Sequence, residues 1–400
     1  MYKRQLFISF LTFTIALSTA DAQFSSGKPI LNEGMLEPFG NTDCMIEELS
    51  RISELELSDL DGDGDLDLLI GTFELSIFLW IEYDQDSFSK LHCLDANTSE
   101  ISSIKGADID GDGDNDIILA GQGGTVLGWL ENEDGLGTFG EEQIISESNS
   151  LNIRDLFVSD MDMDGDMDLL IAAGNTIGWY ENLDGLGRFS NIKTISTNSP
   201  QVRLAETADL NGDLLPDVIA ATDGDTRLSW YSNLGGGNFG FKNTIHESGR
   251  FDATKAIAVA DYDNDGDMDI VATNNNFTIW FTNDDGLGEF SDALDFPFSD
   301  VPEHVFAADV NLDGNIDVIT DTADGEGPSW FNNTDGQGGF SEAIVIGNIE
   351  ATISTVTGDV DNDGDKDIVR YLWGDNAEWY ENLFEKPSIK ATVYLSLIHI

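Results

Sequence analysis

Residues 156–189 read LFVSDMDMDGDMDLLIAAGNTIGWYENLDGLGRF. Leu156 to Ser159 form a short apolar strand that enters a ladder of carboxylates at alternate positions, Asp160, Asp162, Asp164, Asp166 and Asp168. Leu169 to Ala173 is a continuous apolar run, as expected of a strand buried on both faces. Gly174-Asn175 turns the chain into a third strand, Thr176 to Glu181, carrying Trp179 and Tyr180. Asn182 to Gly187 is turn chemistry, with glycine supplying positive φ. Phe189 opens a fourth strand. Four short antiparallel strands in one unit predict a propeller blade.

The unit recurs. Ladders start at Asp59, Asp108, Asp160, Asp209, Asp261, Asp309 and Asp359, and successive starts lie 49, 52, 49, 52, 48 and 50 residues apart. Such a period is a repeat architecture and overrides the two or three domains that 400 residues would otherwise suggest. The expected fold is all-β, a seven-bladed β-propeller with four-stranded antiparallel blades over residues 37–383. Two aromatic markers keep phase with the ladder. Trp80, Trp129, Trp179, Trp230, Trp280, Trp330 and Trp379 each follow the ladder start by 19 to 21 residues. Phe88, Phe139, Phe189, Phe239, Phe290 and Phe340 come eight to ten residues later. Tryptophans at one repeat position read as blade-to-blade packing rather than as a ligand platform.

The seventh unit lacks its phenylalanine, and Phe39 lies 20 residues before Asp59, the spacing seen before the other ladders. Phe39 to Met45 is therefore expected to be the N-terminal strand that completes blade seven, closing the ring and removing two unpaired sheet edges. Ser58, Ala107, Ser159, Ala208, Ala260, Ala308 and Gly358 precede the ladders. Small residues there fit first strands crowded around an axis. The two cysteines, Cys44 and Cys93, each follow a phenylalanine by five residues. Equivalent outer strands of neighbouring blades should be further apart than the roughly 7 Å a disulfide spans, so no bridge is expected.

The ladder is a metal loop by its chemistry. Calcium takes six to eight hard oxygen ligands, which side chains at positions one, three and five of a tight loop supply, with glycine at the sharp sixth position. The candidate ligands are Asp59, Asp61, Asp63, Asp65 and Asp67; Asp108, Asp110, Asp112, Asp114 and Asp116; and Asp160, Asp162, Asp164, Asp166 and Asp168. They continue with Asp209, Asn211, Asp213 and Asp217; Asp261, Asp263, Asp265, Asp267 and Asp269; Asp309, Asn311, Asp313, Asn315 and Asp317; and Asp359, Asp361, Asp363, Asp365 and Asp367. Up to seven calcium ions are expected. The fourth site is weakest, because Leu214 replaces the glycine and Pro216 stiffens the loop. Position twelve is never the bidentate glutamate of an EF-hand, and strands flank the loop. A metal-free Asp-rich turn is the rival reading, but four clustered carboxylates repel unless protonated or neutralised. Magnesium fits less well, since it gives up water reluctantly.

Seventy-six acidic against 18 basic side chains give a net charge of −58, which argues against nucleic acid and anionic membranes as partners. Lys3, Arg4, the apolar Leu6 to Leu17 and Ala20-Asp21-Ala22 form a secretory signal over residues 1–22, placing the mature protein outside the cell or on its surface. No stretch is long enough for a transmembrane helix. Residues 384–400 read as a remnant whose last six, Leu-Ser-Leu-Ile-His-Ile, match a frame of a transposase library adapter. A complete gene from the same source ending in that hexapeptide would refute the adapter origin.

With ladder, Trp and Phe in phase, and Phe-Gly pairs at Phe39-Gly40, Phe139-Gly140 and Phe239-Gly240, the units resemble FG-GAP/VCBS-type repeats. The resemblance implies a propeller similar to the integrin alpha-chain head and certain fungal lectins, with calcium between the first and second strands. No His-Glu-x-x-His, Gly-x-Ser-x-Gly or Walker motif occurs, and His92, His246 and His304 fall at unrelated repeat positions. The expectation is a non-enzymatic adhesion module for an extracellular glycan or protein, monomeric or part of a longer chain. A calcium-dependent polysaccharide lyase or hydrolase and a purely structural module are the alternatives. The ligand is expected at the loops between second and third strands, Gly121 to Thr125, Asn274 to Asn276, Asp321 to Pro328 and Tyr371 to Asn376, the last carrying Trp373.

Overall fold

The computed structural model describes residues 24–30, 52–73, 76–98, 100–121, 127–147, 151–223, 228–246, 254–275, 277–291, 295–296, 302–322, 327–347, 351–372 and 376–384. They form seven antiparallel sheets, the blades of an all-β propeller. First strands are Ile52–Ser58, Ile101–Ala107, Ile153–Ser159, Val202–Ala208, Ala256–Ala260, Pro302–Ala308 and Thr352–Gly358. All seven line one central channel. The second strands, Asp67–Thr72, Asp116–Gly121, Asp168–Ala173, Asp217–Thr222, Asp269–Thr273, Asp317–Thr322 and Asp367–Leu372, are buried at every residue. Each lies between two strands of its sheet and two neighbouring blades, which is why its sequence is a continuous apolar run rather than an alternation. Six sheets have four strands; the fifth blade shows three, with a single bridge from Ile279 to Asp295 beyond them.

The ring closes through an N-terminal strand, but not the expected one. Lys28–Pro29 pairs with Asn376–Tyr380, completing blade seven. Phe24 bridges Asn382 as Phe139, Phe189 and Phe340 bridge Asn132, Asn182 and Asn333. Phe24, not Phe39, is thus the seventh repeat phenylalanine; Phe39 to Met45 lie outside the described residues. The spacing argument failed because the link from the closing strand to the next ladder is longer here than between other blades. It also misplaced Cys44, whose assignment to the outer strand of blade seven was the reason to exclude a disulfide. Cys93 is disulfide-bonded, and the chain's only other cysteine, Cys44, is outside the described residues.

The repeat tryptophans pack between blades. A Cβ built on Gly137, Gly187, Gly237, Gly288 or Gly338 would fall 2.1–2.3 Å from Trp80, Trp129, Trp179, Trp230 or Trp280 of the preceding blade. No side chain fits there, so the last glycine of each of these five hairpins is required by the indole beneath it as well as by its positive φ. The phenylalanines complete the seam. Phe139 meets Trp80 edge-on at 5.8 Å, Phe340 meets Trp280 at 5.9 Å and, across the closure, Phe88 meets Trp379 at 6.1 Å.

A third seam element is polar. Three residues after each tryptophan but the first stands an asparagine, and Asn132, Asn182, Asn233, Asn283, Asn333 and Asn382 are all buried. Each Nδ2 donates 2.6–2.9 Å to the carbonyl of the second ladder residue of the preceding blade: Leu60, Ile109, Met161, Leu210, Tyr262 and Val310. At the closure seam Tyr83 takes the asparagine's place and packs edge-on against Trp379 at 5.2 Å, while the Leu66 N–H donates to the Val360 carbonyl. Asn283→Ala would leave the Leu210 carbonyl without this donor and should cost about 1–3 kcal/mol. The check is a lowered urea midpoint at unchanged m-value, and Tyr83→Ala should destabilise through lost packing instead.

Candidate metal centres and central channel

Each ladder joins a first strand to a second and shapes itself with its own carboxylates. In all seven loops the first aspartate's Oδ2 accepts the N–H of the sixth residue, at 2.8–3.1 Å. In all seven the fifth-position aspartate, Asp63, Asp112, Asp164, Asp213, Asp265, Asp313 or Asp363, accepts the N–H of the seventh at 2.9–3.1 Å. These are Asx-type turns, which aspartate forms readily. The sixth residue carries φ of +92° to +103° wherever it is glycine, whereas Leu214 in the fourth loop stops at +67°. A Cβ bars the wider angle, so the fourth loop is shaped differently from the rest.

The structure brings three carboxylates together in five loops. One oxygen from each of Asp59, Asp61 and Asp63; Asp108, Asp110 and Asp116; Asp160, Asp162 and Asp168; Asp261, Asp263 and Asp265; and Asp359, Asp361 and Asp363 lies within 4.8 Å of the other two in its group. The fourth and sixth loops carry asparagine at position three. Asn211 turns its Nδ2 to Ser232 Oγ at 3.1 Å, and the Oδ1 atoms of Asn211 and Asn311 each accept a backbone N–H at 3.0 Å.

Calcium, which the resemblance implies, fits what these loops offer. The Oδ1 atoms of Asp162, Asp263, Asp359 and Asp361 and both oxygens of Asp365 are enclosed and accept no hydrogen bond. Burial first, then repulsion from neighbouring ladder carboxylates, raises Asp162 and Asp361 to about 6 and Asp365 to about 8. Enclosed anionic oxygens without donors are costly, and a hard divalent cation is the partner that their chemistry suits.

Position nine has a second duty that sequence reading missed. Asp67, Asp116, Asp168, Asp217, Asp269, Asp317 and Asp367 are buried. In each, Oδ2 accepts the N–H of the second ladder residue at 2.9–3.4 Å. Oδ1 accepts the N–H of the seam asparagine, or of Tyr83, at 2.7–2.8 Å. Trp80 and Trp280 add their indole N–H to Asp67 and Asp269 at 3.0 and 3.1 Å. The signal was present in the sequence as an asparagine at constant distance from tryptophan, where it reads as ordinary turn chemistry.

The hairpins between third and fourth strands fold over the ladders. A Cβ on Gly135, Gly185, Gly286 or Gly336 would strike Asp114, Asp166, Asp267 or Asn315 of the same blade's loop at 2.3–2.4 Å. Ladders and hairpins therefore share one face of the ring.

The profile of the FG-GAP-like repeat family matches residues 59–118, 108–171, 160–220 and 209–272, more than half of the chain. The chain belongs to the FG-GAP-like repeat family. No curated protein matches it. Among solved structures, this FG-GAP propeller is similar to an Agrocybe aegerita lectin described as recognising non-reducing terminal N-acetylglucosamine. The TM-score is 0.59 and the identity 22%, over 75% of this chain and 81% of that one. It is also similar to virginiamycin B lyase from Staphylococcus aureus, with a TM-score of 0.54 and 11% identity over 82% of this chain and 94% of that one. Both likenesses concern the fold.

The propeller's central channel has a volume of about 1260 Å³ and a charged wall. Lys105 Nζ lies 2.7 Å from Glu54 Oε1 and 3.0 Å from Glu56 Oε2. Burial raises Asp155 to about 7 and Glu206 to about 8, with further contributions from Glu54 on Asp155 and from Asp155 on Glu206. At the start of the first strands, Arg154 Nη1 pairs with Asp223 Oδ2 at 3.0 Å, and Lys255 pairs with Glu303. His304 Nδ1 sits 3.0 Å from Asp321 Oδ1, and Asp321 also accepts the Thr355 hydroxyl. Of the expected binding loops, residues 122–126, 276, 323–326 and 373–375, Trp373 included, lie outside the described residues. Asp321 is described, and its carboxylate is bound to His304 and Thr355.

If the five three-carboxylate loops hold the tightest ions, Asp162→Ala should remove one ion equivalent by elemental analysis of dialysed protein, while Asp213→Ala removes none or a weakly held one. Leu214→Gly should strengthen the fourth site, read as an additional equivalent retained on dialysis.

Proposed function

We propose that the chain is an extracellular, calcium-stabilised FG-GAP propeller that binds a glycan and performs no chemistry on it. The observation that carries the calcium part is the enclosed, donor-less carboxylate oxygens of Asp162, Asp263, Asp359, Asp361 and Asp365. Bound ions would neutralise them and fasten the turn between first and second strands. All the loops listed in the sequence analysis would take part, with Asp65, Asp114, Asp166, Asp267, Asn315 and Asp365 offering their carbonyls at position seven. The position-nine aspartates can reach the ion only with what their structural hydrogen bonds leave over, and Asp116 and Asp168 are the two with an oxygen in the described three-carboxylate groups.

The glycan part is supported by the fold shared with a lectin that recognises terminal N-acetylglucosamine and by a channel lined with donors, acceptors and the aromatic side chains Phe157 and Phe306. Sugar sites need convergent polar groups beside apolar faces. Secretion is supported by the basic and apolar start of the chain, where calcium is plentiful; among the described residues no helix is long and apolar enough to cross a membrane.

A ligand that binds only the folded state at a hundredfold excess over its Kd contributes about 2.7 kcal/mol per site. Calcium should therefore raise the melting temperature by many degrees and chelator should reverse the gain. An unchanged melt in chelator would refute the calcium role, and a glycan array without hits, in calcium, would refute the lectin reading.

A further inference from the structure

In a chain with 18 lysines and arginines against 76 acids, positive charge is scarce enough that its clustering calls for a reason. Arg154, Arg203 and Lys255 occupy the same register, six residues before the ladder, in three consecutive blades, the first two on first strands and Lys255 just ahead of one. His304, five residues before its ladder, continues the arc on the next blade. All four line the channel. Because each first strand runs toward its ladder, the arc lies at the channel mouth away from the metal loops.

Acids at the mouth account for three of the four cations: Arg154 pairs with Asp223, Lys255 with Glu303 and His304 with Asp321. Glu54 and Glu56 are served by Lys105. Burial raises Asp155 to about 7 and Glu206 to about 8, and both Asp155 oxygens accept backbone N–H groups, from Leu156 at 3.0 Å and Ala205 at 2.9 Å. Glu206 lies three residues nearer the ladder than Arg203, about 10 Å along the strand. Arg203 is the cation left over. Asp223 is already bonded to Arg154 at 3.0 Å, and Arg203 Nη1 approaches it only to 3.8 Å, beyond hydrogen-bond distance. Asp223 Oδ1 accepts no hydrogen bond. The Arg203 side chain is 41% exposed, the most open of the four. His304 spends Nδ1 on Asp321, which fixes the ring and leaves Nε2 outside that pair. Burial pushes the His304 pKa down, but the Asp321 carboxylate, through its charge and its hydrogen bond, together with Glu303 and Glu54 raises it overall.

We infer that this mouth binds the carboxylate of an acidic sugar, with Arg203 as the principal contact and Arg154, Lys255 and His304 around it. The inference rests on the glycan reading above and names the class of glycan. A guanidinium grips a carboxylate through paired hydrogen bonds. Below the arc, Glu206 and Ser354 line the channel as polar groups, and Phe306, whose ring stacks with that of His304 at 6.3 Å between centroids, offers an apolar face.

The test is calorimetry of the calcium-loaded protein with oligosaccharides of glucuronate, galacturonate and sialic acid, each beside its carboxyl-reduced form. The inference expects at least one acidic oligomer to bind, its reduced form to lose about tenfold or more in affinity, and added sodium chloride to weaken the complex. Arg203→Gln should reproduce the loss for the acidic form, with melting temperature and ion content unchanged to show that the ring is intact. Equal binding of acidic and reduced forms, or of the variant and the parent, overturns the inference and leaves the glycan reading standing. Binding of neither form, together with an empty neutral-glycan array, overturns both.

Discussion

A carboxylate buried without a cation beside it must be surrounded by donors, and the ninth ladder aspartate draws its donors from separate parts of its blade. Its two oxygens take the N–H that opens the metal loop and the N–H of the seam asparagine three residues beyond the tryptophan. That asparagine in turn donates to the preceding blade. The metal loop, the third strand and the neighbouring blade are therefore tied through one side chain, repeated around the ring. Each hydrogen bond is modest in net worth, but leaving a buried acceptor without its donor is expensive. This explains why the position is aspartate in every repeat even though its oxygens have little capacity left for an ion.

The same unit serves packing and metal chemistry at once. The indole that sends its N–H to the ninth aspartate in blades one and five presents its ring to a glycine of the next blade's hairpin. The first glycine of that hairpin leaves room for the position-seven side chain of its own ladder. A blade cannot relax one of these contacts without disturbing the loop that holds the carboxylates. Metal loops built this way are parts of the scaffold, and the acids of a highly negative chain become tolerable when each cluster is paired with donors or ions. The side chains that line the channel, by contrast, differ from blade to blade.

Much of this was legible in the residues. Alternating aspartates, a glycine at the sharp turn, apolar second strands and tryptophans in constant phase are local or strictly periodic signals, and they identified the propeller, its blade count and the candidate ligands. The closing strand was misread because the search relied on the repeat's own spacing, which the N-terminal connection does not obey: Phe24 rather than Phe39 bridges the last blade. The disulfide at Cys93 followed the same error. The seam asparagines were visible as letters, but a turn-forming residue shows nothing of a partner carbonyl some 72 residues away.

By itself, then, the sequence determined the kind of unit, its number and the carboxylate-rich loops, because these depend on side-chain chemistry repeated at fixed separations. The tertiary structure decided which strand closes the ring and which carbonyls the asparagines reach. It also decided that Cys93 is disulfide-bonded. Those facts depend on contacts between blades, and bringing the two ends of a ring together places side by side residues that no spacing along the chain relates.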